Sequence, residues 1–322
     1  MATLAEIRAK LQAQDNKSDK KGFGDKQLYP HWNINENESC LLRFLPDKNT
    51  KNSFFWVERA LINLSFPSVK GASEAKTAYV KVPCMEMWGE TCPVLTEVRP
   101  WYKDASLKEQ AGKYWKKRTY LMQGFVRENP IEEETPENLV RRFIISPQLF
   151  SLIKAALLDP ELEELPTDFN HGLDFRINKT AGKGGYSDYN TSKWSRKESA
   201  LTDKERAAIE QYGLFDLSDG LPKKPSDKEV KIIKEMFEAS VNGDMYDPEK
   251  WGEYFKPGGS YVAETVDTSS AKATTHTTHT TQAAPVQEDS VAPVVTPTTA
   301  PKSTQATDIL KMIKERQANA KK

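Results

Sequence analysis

Apolar positions along this chain recur at two spacings, and the changes between them divide it. At the start, Leu4, Ile7 and Leu11 fall three and four residues apart, with Arg8 and Lys10 off that line. This spacing predicts an amphipathic helix over 3–14. The polar stretch DNKSDKKGFGDK (15–26) reads as a flexible connection, so residues 1–27 form an arm tethered to a body that begins near Leu28. From 28 to 198 the pattern shortens to strands. CLLRFLP (40–46), SFFWVERALINLSF (53–66), TAYVKVP (77–83), RTYLMQGFV (118–126) and RRFIISP (141–147) are rich in aromatic and β-branched residues and punctuated by Pro, Gly and Asn. In DFRINKT (174–180), Phe175 and Ile177 alternate with polar neighbours, the period of a half-buried strand. One helix, PQLFSLIKAALL (147–158), interrupts the series with Pro147 in its first turn. Short strands around one helix predict an α+β fold on a small β-barrel core of the oligonucleotide-binding (OB) type with inserted loops.

Helical spacing returns over 199–261, where Thr202-Asp203 and Ser226-Asp227 are helix start signals; the expectation is a helical subdomain packed on the core. Residues 262–306 turn to Thr, Ala, Pro, Ser and Gln, a composition expected to form a disordered linker because it buries too little to offset ordering entropy. TDILKMIKERQANAKK (307–322) ends the chain with a helical pattern in which Ile309, Leu310 and Ile313 cluster, a candidate partner-docking element.

Composition narrows the function classes. Lys+Arg and Asp+Glu both number 46 in 322 residues, so a nucleic-acid surface must come from how charge is distributed. Hydrophobic residues make up 38%, with 7 Trp, 11 Tyr and 13 Phe, enough for a core. No apolar run approaches the roughly 18 residues of a membrane span. Cys40, Cys84 and Cys92 are too few for a disulfide framework, and the opening residues lack the apolar stretch of a secretory signal. A reducing cytoplasm is the expected compartment.

The candidate chemistry lies in two segments. Over 99–127, eight Lys or Arg residues stand against Asp104 and Glu109. Interleaved with Lys116, Lys117 and Arg118 are Trp101, Tyr102, Tyr114, Trp115 and Tyr120. Flat rings stack on unpaired bases and cations neutralise phosphates, a combination suited to sequence-independent binding of one strand. NKTAGKGGYSDYNTSKWSRK (178–197) repeats the theme with Lys183, Tyr186, Tyr189 and Lys193. Its GKGG turn lacks the spacing of a nucleotide-hydrolysing phosphate loop. Structural zinc takes four ligands, and CMEMWGETCPV offers only Cys84 and Cys92, with no histidine between His31 and His171. No cofactor is expected; zinc is the one candidate, and a partial site on those two thiols its only basis. His31, His171, His276 and His279 make no catalytic pairing, and no nucleophile elbow or HExxH pattern stands out, so no enzymatic activity is expected.

Four stretches in this order, RFLPDKN (43–49), CPV (92–94), KKRTY (116–120) followed by VRENP, and GYSDYNTSKW (185–194), resemble the single-stranded DNA-binding, helix-destabilising proteins of T-even-type bacteriophages over about residues 1–256. The resemblance implies an OB-type barrel whose cleft holds the strand, an N-terminal arm for cooperative self-association and a C-terminal tail that contacts replication, recombination and repair proteins. It places Tyr120 as a stacking tyrosine, Lys116, Lys117, Arg118 and Thr119 in the family's basic run, and Tyr186 and Tyr189 in its second aromatic segment. The setting it implies is the cytoplasm of an infected bacterial cell. This chain departs from the family in three ways. Leu95 stands where a third zinc-ligating Cys belongs, the basic triplet before the N-terminal helix is missing, and residues 267–322 carry seven basic and five acidic groups in place of a strongly acidic tail. An RNA-binding regulator with the same surface, or a non-catalytic assembly protein, are the alternatives.

Overall fold

The computed structural model describes residues 27–73, 76–160, 162, 165–182 and 185–258. The arm with Leu4, Ile7, Arg8, Lys10 and Leu11, the terminal segment with Ile309, Leu310 and Ile313, and Lys183 lie outside the described residues.

Strands β1 (Ser39–Leu45), β2 (Val57–Phe66) and β3 (Ala78–Pro83) come first. Two short helices follow, α1 (Pro93–Val98) and α2 (Lys108–Tyr114), then the long strand β4 (Lys117–Glu128) and β5 (Arg141–Ile145). After helix α3 (Pro147–Leu157) come β6 (Asp174–Asn178) and the two-residue strands β7 (Thr180–Ala181), β8 (Ser187–Asp188) and β9 (Lys193–Trp194). Helices α4 (Asp203–Tyr212), α5 (Asp227–Asn242) and α6 (Pro248–Trp251) complete the described chain. The start signals act as expected. Thr202 with Glu205 and Ser226 with Glu229 each form a reciprocal capping box that satisfies otherwise orphaned backbone N–H groups.

The chain is α+β, its strands pair antiparallel throughout the registers below, and it divides into two compact units, each assembled from separate stretches of sequence. The first unit holds 27–58 with 119–221; the second holds 59–118 with 222–258. The helical segment 199–261, set apart by its pattern as one subdomain, is therefore shared: 199–221 belongs to the first unit and 222–258 to the second.

In the first unit the strand order is β5–β4–β1–β6–β9. This sheet is open and does not close into the barrel expected of an OB-type core. A physical reason lies at its two edges. The outer edge of β5 is taken by residues 27–29, where the Tyr29 N–H donates to the Arg142 carbonyl at 3.0 Å and the Arg142 N–H to that of Gln27 at 2.8 Å. At the other edge β9 contributes only two residues of pairing. The sheet is covered on both faces. Leu42, Phe44, Tyr120, Met122, Phe143, Ile145 and Phe175 pack with Leu149 and Ile153 of α3. Leu45, Phe125 and Val140 pack with Leu201 and Ala208 of the α4 region. β1 and β4 come so close at Gly124 that a Cβ there would stand 1.9 Å from the Arg43 carbonyl oxygen, so only glycine fits.

In the second unit Ala60, Ile62, Leu64 and Phe66 of β2 alternate inward with Ala78, Val80 and Val82 of β3. Ile233, Met236, Phe237 and Val241 of α5 complete this core.

Candidate nucleic-acid interface

Buried charge orders the first unit before any surface chemistry is considered. Arg43, fully buried on β1, places Nε 3.3 Å from Asp174, while Arg127 reaches Asp174 at 2.9 Å and Glu205 at 2.8 Å. Arg127 Nη1 also donates to the Ser199 hydroxyl at 2.7 Å, and that hydroxyl donates to Asp174 at 3.0 Å. Burial alone would raise the Glu205 carboxyl, but hydrogen bonds from Arg127 and the Thr202 N–H, with the Arg127 charge, hold it below its usual range. Charges this deep need such pairing, and here it ties the start of α4 to the sheet.

The motif RFLPDKN continues from Arg43 into the loop 46–56. Asp47 accepts from the Asn49 N–H at 3.1 Å, the Asn52 amide at 2.8 Å and the Leu217 N–H at 3.1 Å. The Asn52 amide also donates to the Trp56 carbonyl at 3.1 Å, and the Phe54 N–H donates to the Asn52 side chain at 3.0 Å. These side-chain-to-backbone bonds fix a loop of three consecutive rings. Phe55 is buried and stacks on Phe44 at 6.0 Å, while Phe54 points outward, 57% exposed.

From exposed Phe54 a run of rings leads through half-buried Trp56 and Phe150 to buried Tyr120. Phe54 lies 4.6 Å from Trp56, Trp56 meets Phe150 edge-on at 5.2 Å, and Phe150 stacks on Tyr120 at 3.5 Å with the planes 10° apart. Phe150 is presented by α3, whose Ser146 cap and Pro147 set the start of the helix, and whose Leu149 and Ile153 face the core. Exposed Lys154 stands one turn beyond Phe150 on that helix, and exposed Lys48 and Lys51 lie in the loop before Phe54. Phe54 also borders an open depression of about 600 Å³ lined by Phe55, Leu165, Thr167, Leu214 and Lys48. Near the start of α3, Gln148 donates to Asp188 at 2.6 Å and to Asn190 at 3.2 Å, which holds the segment after Tyr186 against the helix. Tyr186 is 45% exposed, and Lys193 is exposed on the edge strand β9.

The structure sorts the residues singled out by sequence into three fates. Trp101 and Tyr114 are core of the second unit: Trp101 is fully buried and stacks on Phe237 at 5.9 Å, with Tyr114 edge-on to both. Their expected role on an open surface is corrected, because α5 supplies an apolar face that takes them in. Tyr189 is likewise buried, edge-on to His31 at 6.3 Å. Tyr102 and Trp115 are half-buried and meet each other edge-on at 5.1 Å. Tyr120, only 7% exposed, is also core, and its expected role as an open stacking ring is corrected because Phe150 covers its face at 3.5 Å; Tyr186 and Lys193 are exposed. The basic run is partly spent internally. Lys116 and Arg99 both pair with Glu86, and Lys117 donates to the Gly112 carbonyl at 3.1 Å, while Arg118 is exposed.

Phe54, Trp56 and Phe150 were missed as site residues. The signal lay in Phe54-Phe55-Trp56, three consecutive rings in a loop, of which only Phe55 enters the core. His31 is buried, and burial with the charge of Lys179 pushes it down to about 4, so it stays neutral above that pH. Cys84 and Cys92 are buried and hydrogen-bonded to each other, which lowers Cys92 and raises Cys84. Among the described residues no three His, Cys, Asp or Glu side chains converge as a metal ion requires, and no helix is long and apolar enough to cross a membrane. No protein-family model matches this sequence, and none of the curated proteins compared with it does.

Proposed function

We propose that this chain binds single-stranded DNA without sequence preference, by stacking and phosphate neutralisation, and that it is not an enzyme. The observation that carries this reading is the run Phe54–Trp56–Phe150–Tyr120, open at its Phe54 end and flanked by Lys48, Lys51 and Lys154. Phe54 stands open at the end of the run, and Trp56 and Phe150 are half-buried, so ring faces remain within reach of a base. Every base has a π-face, so stacking of this kind is indifferent to sequence and contributes about 1–3 kcal/mol per base.

The resemblance to the T-even-type phage proteins supports the same reading. With it go several further proposals: an opened OB-type scaffold, cooperative self-association through 3–14, docking of replication, recombination and repair proteins through 307–322, and action in an infected bacterial cell.

The test is a fluorescence titration of the full chain with a deoxythymidine oligomer at two salt concentrations. Saturable quenching is expected, because Trp56 sits inside the ring series, and affinity should fall with log salt by about 0.7 per phosphate neutralised. Absence of saturable binding at low salt overturns the reading. Tighter binding of the matching RNA oligomer would reassign the ligand to RNA.

A further inference from the structure

The outward face of the β2–β3 hairpin in the second unit takes no part in the ring series. Its inner face is core, so the opposite residues are turned away from it. Lys81 lies directly opposite Asn63, and Tyr79 opposite Ser65, with Arg59 further along the same side of β2. Tyr79 is 59% exposed, a large ring left out of a core built from its neighbours Ala78 and Val80. Lys81 follows it on the same face, exposed as a residue though its ammonium group is partly desolvated, and this desolvation, with the charge of Arg59, lowers it, so the two cations feel each other. Beside Tyr79 an open depression of about 370 Å³ is lined by Val69, Lys76, Thr77 and Pro257. Its floor is held in place by the Gly258 N–H, which donates to the Tyr79 carbonyl at 3.1 Å. The sign of the surrounding charge agrees: residues 59–118 and 222–261 contain 18 Lys or Arg against 14 Asp or Glu in a chain of zero net charge.

We infer that this face is a second contact for a single nucleic-acid strand, with one base stacked on Tyr79 and its flanking phosphates neutralised by Lys76 and Lys81. The inference rests on the single-strand reading above and adds a site to it. An exposed ring with Lys81 two residues along its strand face and Lys76 in the adjoining depression offers a base both of its needs, a flat apolar surface and a neutralised backbone.

The full chain carrying Tyr79→Ala or Lys81→Ala, titrated with the same oligomer, tests it. Tyr79→Ala should weaken binding about 5- to 150-fold with the salt slope unchanged. Lys81→Ala should lower the salt slope by about 0.7. Thermal midpoints should hold for both, since neither side chain packs in a core; if Tyr79→Ala shifts its midpoint, Tyr79→Phe must keep both fold and affinity. Photo-crosslinking to a bromodeoxyuridine oligomer should label Tyr79 in addition to the Phe54–Trp56 peptide. Labelling of that peptide alone, with both variants binding like the parent, overturns this inference and leaves the first reading standing. A parent chain that does not bind at all removes both.

Discussion

At the scale of single residues, equal chemistry meets unequal fates. Trp101 and Trp56 each stand in sequence beside other rings and cations, yet one is fully buried on Phe237 and the other is half-buried beside exposed Phe54. Nothing local distinguishes them, because the burial of Trp101 is decided by α5, far along the chain. Substitution should separate the two roles. Trp101→Ala is expected to cost about 3–5 kcal/mol of stability by leaving a cavity, with the affinity of the molecules that remain folded unchanged. Phe150→Ala should do the reverse, weakening DNA binding by about 1–3 kcal/mol with a smaller stability loss, since Phe150 is half-buried and Tyr120 and Trp56 remain. Denaturant unfolding and titration of the same samples give both numbers. Equal affinities for Phe150→Ala and the parent would remove the ring series from the interface.

Elements were far more legible than sites. The strands at 40–46, 77–83 and 141–147, the helix at 147–158 and both capped helix starts were readable because periodicity and capping are local. Helices α1 and α2 were not, being six and seven residues long, too short for an apolar repeat to register. Short strands around one helix suggest an OB-type barrel, but spacing carries no information on which edges meet, and the observed sheet is open. Helix α4 owes its attachment to the buried cluster of Arg43, Arg127, Asp174 and Glu205, and that cluster predicts acid sensitivity. Glu205 is held below its usual 4.5, so its contribution is complete above that pH and is lost as pH falls through the depressed value. The thermal midpoint of the parent should therefore drop below about pH 4.5 more steeply than that of Glu205→Gln, which lacks the titrating group and starts from a lower midpoint. Parallel curves for the two would show that Glu205 does not titrate with folding.

On the scale of the whole molecule, the charge balance of zero conceals an uneven division. Residues 27–58 and 119–221 carry 15 Lys or Arg against 22 Asp or Glu, so the proposed phosphate neutralisation would have to be local, from Lys48, Lys51 and Lys154 rather than from the unit's total. The units also interleave in sequence, with the chain passing from one to the other inside β2 and inside β4. A fragment cut at the boundaries suggested by the hydrophobic pattern, 28–198, would lose Leu201, Ala208 and Glu205, stripping the cover from Leu45 and Phe125 and one carboxylate from Arg127. Such a fragment should show no cooperative thermal transition by circular dichroism, whereas 27–258 should. A sharp transition in the shorter piece would mean that the α4 region is dispensable.

The Asp47 turn has one more implication. With its carboxylate already holding Asn49, Asn52 and Leu217, the loop that carries Phe54 is stiff, and a strand stacked there as proposed would leave it little freedom to surrender at the moment of encounter. Loosening that knot by Asp47→Ala would leave every ring in place chemically and still slacken the grip, as a mitten holds less well than a clamp.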